Sequence, residues 1–236
     1  MIFVGLQKLT LLDYPAHTAC TIFTKGCNFR CPFCHNFELL DIGLPIDTIS
    51  KTDILQFLSE RKGKLEGVVL TGGEVLLNEI NDIMTFLKEV QSMGFIIKID
   101  TNGYFPDKLK KIIDENLVNY VAMDIKSGKK KYAYTCGIDV AKFDYNKIQQ
   151  SIDILINSTI DYEFRTTLVK GIHDENDFYD IKNMIKGAKK YYLQNYRHTD
   201  YMKEMPYKSF LKEEILHFKD MVSDSVSMCE LRGIDG

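Results

Sequence analysis

The sequence has no apolar stretch close to the roughly 20 residues needed to cross a membrane, and its first residues lack the basic start and apolar centre of a signal peptide. It also has little net charge, because 30 Lys and Arg stand against 33 Asp and Glu to give −3. This balance excludes the whole-chain basic field that attracts nucleic acids. Six cysteines in 236 residues are too sparse for the disulfide scaffold of a small secreted protein. We therefore expect a cytoplasmic protein that binds neither membrane nor nucleic acid.

No internal repeat, low-complexity tract or linker rich in Pro, Gly and Ser interrupts the sequence. A chain of this length fits one large domain or two small ones. Because no linker is evident, we expect one domain over residues 1–236. Within it we distinguish a cysteine-rich loop at residues 25–36 and a C-terminal helix and strand region at residues 205–236.

Strand-like apolar runs alternate with amphipathic helical stretches along the chain. The predicted strands are Ala19–Thr24, Gly67–Thr71, Phe95–Asp100, Val118–Ile125, Tyr162–Val169 and Tyr191–Tyr196. The predicted helices are Lys51–Arg61, Ile80–Met93, Pro106–Asn116, Asn146–Asn157, Glu175–Lys189 and Lys208–Met221. This alternation predicts a parallel sheet with crossover helices, either doubly wound or an open barrel. Because polar motifs follow five strands, and barrel sites form at the C-terminal strand ends, we favour an α/β fold with a partial (β/α)6 TIM-like barrel.

Three cysteines stand close together in the sequence: Cys27, Cys31 and Cys34 have a C-x3-C-x2-C spacing, and His35 follows directly. Thiolates this close together bind a soft metal or an iron–sulfur cluster. No second ligand pair follows at zinc-finger spacing, and a ferredoxin-type cluster uses four cysteines at a different spacing. In zinc proteins, protein ligands fill every coordination position of a structural site but leave one position of a reactive site open for substrate. By analogy, we interpret the loop as a cluster site with one coordination position left open.

The other three cysteines are less informative. Cys20 lies in a strand-like run and fits a small buried hydrophobic residue. Cys136 and Cys229 are far apart in the sequence. Either can supply a fourth ligand, but we favour structural or incidental roles for both.

Two further strand ends carry polar motifs. Gly72, Gly73 and Glu74 follow one strand, where two glycines let the backbone approach a ligand closely and the carboxylate can hold an amino group. This motif is weak alone and gains weight from its place downstream of the cysteine loop. Asp100 to Gly103 end the next strand, where Asp100 either caps a helix or belongs to a site.

Charged residues also alternate with apolar ones at the following strand end. Asp124 and Lys126 flank Ile125, so both can point into the interior of a barrel. Charges that face inward need partners, which a zwitterionic ligand would supply. Arg165 is a further candidate for a buried charge, and the alternative is an ordinary ion pair with Glu163 or another acid.

Taken in this order, the motifs resemble those of radical S-adenosylmethionine (SAM) enzymes. The cysteine loop, with Phe33 before its last cysteine, is similar to the cluster signature of these enzymes, and Gly72-Gly73-Glu74 is similar to their motif for the SAM amino group. Residues 34–36, 100–103 and 124–126 together resemble the glycyl-radical-enzyme activases of this family.

Within the activases, residues 5–15 and 25–40 look most like the activating proteins of anaerobic ribonucleoside-triphosphate reductase. Pyruvate formate-lyase activating enzymes tend to carry Asp-Gly-Pro-Gly where this chain has Asp13-Tyr14-Pro15-Ala16. The resemblance is strong over residues 1–130 and thinner beyond them.

The resemblance implies one [4Fe–4S] cluster on Cys27, Cys31 and Cys34, with the amino and carboxylate groups of SAM on the fourth iron. It implies a monovalent cation near Asp100 and Asp124, beside the SAM carboxylate. The residues implied to lie around the cofactor are Phe33, His35, Gly72, Gly73, Glu74, Asp100, Thr101, Asn102, Asp124, Ile125, Lys126, Arg165 and Arg197. His198 is an alternative to Arg197 as a ribose contact.

The implied activity is reductive cleavage of SAM followed by removal of a glycine Cα hydrogen from a glycyl radical enzyme. Flavodoxin or ferredoxin is the implied electron donor. We favour anaerobic ribonucleoside-triphosphate reductase as the partner, with pyruvate formate-lyase or another glycyl radical enzyme as the alternative. A non-catalytic metal-binding or electron-transfer module is the further alternative, and it would need neither Glu74 nor the motifs at Asp100 and Asp124.

Overall fold

The computed structural model describes residues 1–41, 43, 45–197 and 207–233. The strands within these ranges are β1 (Phe3–Thr10), β2 (Ala19–Thr24), β3 (Gly67–Gly72), β4 (Ile96–Thr101), β5 (Tyr120–Asp124), β6 (Asp161–Leu168), β7 (Lys190–Asn195) and β8 (Met228–Arg232). The helices are α1 (Lys51–Glu60), α2 (Ile80–Ser92), α3 (Pro106–Asp114), α4 (Tyr132–Thr135), α5 (Tyr145–Ile156), α6 (Glu175–Met184) and α7 (Lys212–Ser223). The six strands and six helices predicted from the sequence are all present, and β1, β8 and the short α4 are additional.

The strands follow one another in the sheet in chain order, from β1 to β8. β1 pairs antiparallel with β2. β2, β3 and β4 pair parallel, as do β6, β7 and β8. Parallel neighbours joined by helices confirm the predicted α/β class.

Two predicted helix boundaries were wrong. The α6 helix ends at Met184, not at Lys189, because Ile185 closes it with a hydrogen bond to Ile181 and Gly187 turns the chain at a φ of 86°. The α7 helix begins at Lys212, not at Lys208. Lys208 instead forms an antiparallel bridge with Lys170.

The chain divides into two compact units. The first unit contains Met1–Asn28, Asn36–Ala122 and Ser158–Asp161, and so carries β1 to β4, most of β5, and α1 to α3. Its helices bury the faces predicted from their apolar spacing, as Ile83, Leu87 and Val90 of α2 illustrate. Burial of one apolar stripe against the strands is what stabilises such helices.

The second unit contains Phe29–His35, Met123–Asn157 and Tyr162–Gly236. It carries the end of β5, the strands β6 to β8, and α4 to α7. The expectation of one domain over residues 1–236 stays a prediction. None of the helices in the described ranges combines the length and the hydrophobicity needed to cross a bilayer.

Candidate active site

The cysteine loop leaves β2 and is held by backbone hydrogen bonds in the first unit. Gly26 donates its N–H to Leu39 O over 2.7 Å, and Cys27 donates its N–H to Leu40 O over 3.3 Å. Asn102 Nδ2 lies 3.8 Å from Cys27 Sγ. An amide donor at a cluster cysteine is the kind of contact that tunes the potential of an iron–sulfur centre.

Gly72 and Gly73 bring the end of β3 against the base of the cysteine loop. Gly73 donates its N–H to Thr24 O over 2.9 Å, and Glu74 donates its N–H to Gly26 O over 2.8 Å. A Cβ on Gly73 would lie 2.0 Å from Gly26 O, a distance that backbone atoms cannot accommodate. Gly72 has a φ of 110°, a conformation that only glycine adopts readily. The Gly-Gly pair therefore serves close packing against the backbone of the cysteine loop, and its predicted close approach to a ligand stays a prediction.

Glu74 is fully buried, and its carboxylate binds the end of β4. Its Oε1 accepts hydrogen bonds from Thr101 Oγ1 over 2.7 Å and from Leu76 N over 3.0 Å. Its Oε2 accepts from Asn102 N over 2.7 Å. Glu74 thus fixes the turn that carries Asn102 to Cys27. Its predicted contact with a SAM amino group stays a prediction.

A lysine that the sequence analysis missed lies beside Asp100. Lys98 Nζ and Asp100 Oδ1 are 2.5 Å apart, and the Lys98 side chain is only 2% exposed. Thr71 Oγ1 donates to Asp100 Oδ2 over 3.1 Å. Residues two apart in a strand share a face, so the Lys-x-Asp spacing in β4 was the signal that could have revealed this pair.

In the second unit, Cys31 and Cys34 lie on a tight turn in which Cys34 donates its N–H to Cys31 O over 3.1 Å. Cys136 holds this turn, since its carbonyl accepts from Arg30 N over 2.8 Å. A hydrogen bond from the Cys136 side chain, opposed by burial and aided by the charge of Lys126, lowers the pKa of the Cys31 thiol to about 7. The Cys31 thiol is therefore poised to act as a thiolate ligand.

Phe33 and His35, on the same loop, have different surroundings. Phe33 is buried with Val169, Ile172 and Tyr196 in an apolar cluster. His35 Nε2 lies 3.1 Å from Arg197 O, which brings together two residues that the resemblance places around the cofactor. A cavity of about 380 Å³ opens beside them. Its lining residues are His35, Thr167, Gln194, Asn195, Arg197, Arg232 and Gly233. His198 lies outside the described residues.

Asp124, at the end of β5, binds two cations of the second unit. Lys126 Nζ lies 2.8 Å from Asp124 Oδ2, and Arg165 lies 3.0 Å from Asp124 Oδ1. Desolvation opposes the charge of this carboxyl, but Lys126 and Arg165 outweigh it and lower the pKa of Asp124 to about 2. Arg165 therefore pairs with Asp124, and Glu163, the alternative partner, instead binds Arg232 at 2.7 Å.

Two buried side chains that the sequence analysis missed hold the turn from Asp124 to Lys126. The Tyr132 hydroxyl accepts from Lys126 N over 3.2 Å and lies 3.3 Å from Asp124 O. His173 accepts a hydrogen bond from Val169 N at Nδ1 and donates from Nε2 to Lys126 O over 2.8 Å. His173 is 47 residues from Lys126 in sequence, and Tyr132 lies six residues beyond Lys126 in the short helix α4, so the apolar periodicity indicated neither contact. Ile125, between the two charged residues, is buried.

The donor set fits an iron–sulfur cluster. Three thiols in one loop offer the ligands that such a cluster would need, and the buried Asn28 Nδ2 has no acceptor among the described residues, as expected of a donor that would face cluster sulfur. Within the same residues, no three His, Cys, Asp or Glu side chains surround a single ion. In a [4Fe–4S] cluster each cysteine ligand binds a different iron, so the three thiols need not converge on one point.

The sequence matches the model of the Radical SAM superfamily over residues 21–185. It is 31% identical over 201 residues to a Methanocaldococcus jannaschii protein named as a glycyl-radical enzyme activating enzyme, with 83% of this chain and 80% of the relative covered.

Two shorter matches name particular activases. The anaerobic ribonucleoside-triphosphate reductase-activating protein of Pasteurella multocida is 35% identical over 31% of this chain and 49% of its own length. The pyruvate formate-lyase-activating enzyme of Clostridium pasteurianum is 29% identical over 52% of this chain and 51% of its own length.

Among solved structures, a radical SAM methyltransferase from Sphaerobacter thermophilus superimposes with a TM-score of 0.72 at 14% identity, and covers 95% of this chain and 69% of its own. At this identity the likeness concerns the fold alone. It confirms the predicted fold of radical SAM type.

Proposed function

Because the chain belongs to the radical SAM superfamily, and within it to the glycyl-radical enzyme activating enzymes, we propose that it cleaves SAM reductively and removes a Cα hydrogen from one glycine of a separate glycyl radical enzyme. The observation that carries this proposal is the 31% identity to an activating enzyme over 83% of the chain. The chain is an enzyme whose cofactors are a [4Fe–4S] cluster and SAM. A non-catalytic metal-binding module is therefore not favoured.

We assign the cluster to Cys27, Cys31 and Cys34, which the family signature requires as ligands. When bound, the reduced cluster and SAM together supply one-electron cleavage to methionine and a 5′-deoxyadenosyl radical that abstracts hydrogen. The chain itself contributes hydrogen-bond donors to sulfur. Asn102 Nδ2 lies at Cys27 Sγ, and Asn28 Nδ2 is a buried donor without an acceptor among the described residues.

The second unit offers groups for the two ends of SAM. Lys126, held by Asp124 on one side and by its own backbone contacts on the other, is a cation for the methionine carboxylate. The cavity beside His35 and Arg197 has space and polar side chains for the adenosyl end. Both assignments follow the residues implied by sequence resemblance.

The glycine of the partner is suited to the reaction because its Cα radical can become planar without a clashing side chain. The chain must exclude water and stray hydrogen donors from the radical. Flavodoxin or ferredoxin is the proposed source of the electron.

We favour anaerobic ribonucleoside-triphosphate reductase as the partner because of the turn at residues 13–16. Tyr14 is 3% exposed, and its ring packs 5.9 Å from that of Tyr120. Glycine at this position, as in pyruvate formate-lyase activating enzymes, would leave a void in this core. Ala16 has a φ of 64° where those enzymes carry a second glycine. The residues Asp13-Tyr14-Pro15-Ala16 thus take part in the packing of the first unit.

The test is anaerobic reconstitution with iron and sulfide, followed by addition of SAM, reduced flavodoxin and each partner enzyme in turn. Electron paramagnetic resonance should show a glycyl doublet on anaerobic ribonucleoside-triphosphate reductase. A doublet on pyruvate formate-lyase alone would transfer the assignment to that partner. Cleavage of SAM without a doublet on any glycyl radical enzyme would contradict the activase function.

Cysteine variants test the assigned cluster ligands. Cys31→Ala should abolish both the cluster spectrum and SAM cleavage. Cys20→Ala is the matched control, because Cys20 is buried in β2 and burial raises the pKa of its thiol to about 12. This control should retain both properties, and retained cleavage in Cys31→Ala would refute the ligand assignment.

A further inference from the structure

The carboxylates predicted to bind a monovalent cation already have protein cations as partners. Asp100 binds Lys98, and Asp124 binds Lys126 and Arg165, each within its own unit. An alkali ion at either carboxylate would lie beside an ammonium or guanidinium group already in contact with it, and the two positive charges would repel each other. The residues present do not fit a further cation at these two places.

Lys98 is the more informative of these cations because it is almost completely buried. Its side chain is 2% exposed, whereas that of Asp100 is 18% exposed. An ammonium group is costly to bury without a counter-charge. Lys98 therefore cannot leave Asp100 without losing its stabilising partner, and Asp100 is held on its other oxygen by Thr71.

We propose that Lys98 is a built-in cation that replaces the monovalent ion at Asp100, so that SAM binding by this chain does not require an alkali ion. The inference rests on the proposed function only in that the chain binds SAM. It assumes nothing about the glycyl radical partner. Lys98 is a positioning residue, because it acts on the cofactor site through Asp100.

The first experiment uses the reconstituted wild-type enzyme. SAM affinity is measured by calorimetry in potassium chloride and in choline chloride at equal ionic strength, which keeps general screening the same. The two dissociation constants should agree. If the dissociation constant for SAM were lower in potassium chloride than in choline chloride by about tenfold or more, the proposal would be overturned by the wild type alone.

The second experiment removes the charge. Lys98→Met should bind SAM about tenfold more weakly in choline chloride, and potassium should restore the affinity, because the space left by the ammonium group can admit an ion beside the Asp100 carboxylate. A folded Lys98→Met variant whose affinity is the same in both salts would contradict the inference.

Two controls sharpen the result. Lys88→Met removes an exposed lysine that pairs with Glu115 in the same unit, and it should gain no salt preference. The double variant Lys98→Met/Asp100→Asn should lose the potassium rescue, since the rescuing ion needs the carboxylate. Rescue that persists in the double variant would place the ion elsewhere and refute the assignment.

A readout on the metal-free chain separates this inference from the proposed function. Thallous ion, a potassium mimic with a sharp nuclear magnetic resonance signal, should bind Lys98→Met and not the wild type. Failure of SAM to bind the reconstituted wild type would count against the proposed function and leave this result standing. Thallous ion bound equally by both chains would overturn the role of Lys98.

Discussion

Lysine and aspartate occur two residues apart at two strand ends, in opposite order. Lys98 precedes Asp100 in β4, and Asp124 precedes Lys126 after β5. Side chains two apart in a strand lie on one face, so each pair neutralises itself locally. At Asp124 the charges of Lys126 and Arg165 outweigh desolvation and lower the pKa to about 2, so this carboxylate stays ionised.

His173 shows how one buried ring can make the site sensitive to acid. Nδ1 accepts from Val169 N, so protonation would destroy that hydrogen bond, and burial itself lowers the pKa of His173. The unfolded chain binds the proton near the ordinary pKa of about 6.5. The contribution of His173 to stability is therefore complete above that pH and falls as pH drops from about 6.5 toward the lower pKa of the folded state.

The corresponding prediction concerns the free energy of unfolding in urea, measured from pH 8 to pH 5. We expect the wild type to lose stability across the lower half of this range. His173→Gln should lower stability throughout and flatten the slope. His217→Gln, which removes an exposed histidine, should retain the wild-type slope. An unchanged slope in His173→Gln would show that another group carries the pH dependence.

Among the elements, the turn after β3 depends on the absence of a side chain. Gly73→Ala should displace Gly26, because the added Cβ would lie 2.0 Å from its carbonyl oxygen. We expect the reconstituted variant to bind substantially less iron per chain than the wild type. Gly63→Ala is the control, since its φ of 72° strains alanine but no atom lies within 4 Å. This control should cost about 1 kcal/mol of stability and keep its iron.

The strands and helices also show where sequence patterns are sufficient to predict secondary structure. Interior strands such as β3 are nearly continuous apolar runs and were predicted almost to the residue. β1 and β8 were missed because edge strands are half exposed and their mixed residues follow no clear alternation. The four residues of α4 form too short a helix to display a period.

The candidate site, like the fold, was predictable only where a local sequence pattern marks it. Motifs that directly follow a strand, such as Gly72 to Glu74, could be read from the chain. The groups that hold the turn from Asp124 to Lys126 were found only in three dimensions, since His173 is 47 residues from Lys126 in sequence and Tyr132 lies in the short helix α4. The saturated environment of Glu74 likewise depends on contacts from β4 that no local pattern specifies.

For the whole molecule, cofactor binding should raise the free energy of unfolding. A ligand that binds only the folded state adds about 2.7 kcal/mol at a concentration of 100 times its dissociation constant. We therefore expect SAM to raise the unfolding temperature of the anaerobically reconstituted chain. SAM should have a much smaller effect after an iron chelator has removed the cluster, because the proposed cluster would form part of the SAM-binding site. An equal shift with and without iron would argue against cofactor binding at the cluster.

The contact of Gly73 and Glu74 with the cysteine loop has a practical consequence. Their amide protons are donated to the carbonyls of Thr24 and Gly26, so in heavy water both should exchange slowly even before any iron is added. Mass spectrometry of the deuterated peptide would then distinguish a preparation whose loop is intact and merely lacks iron from one whose loop has collapsed. Two amide protons can in this way serve as a quality test for every batch before it enters the anaerobic chamber.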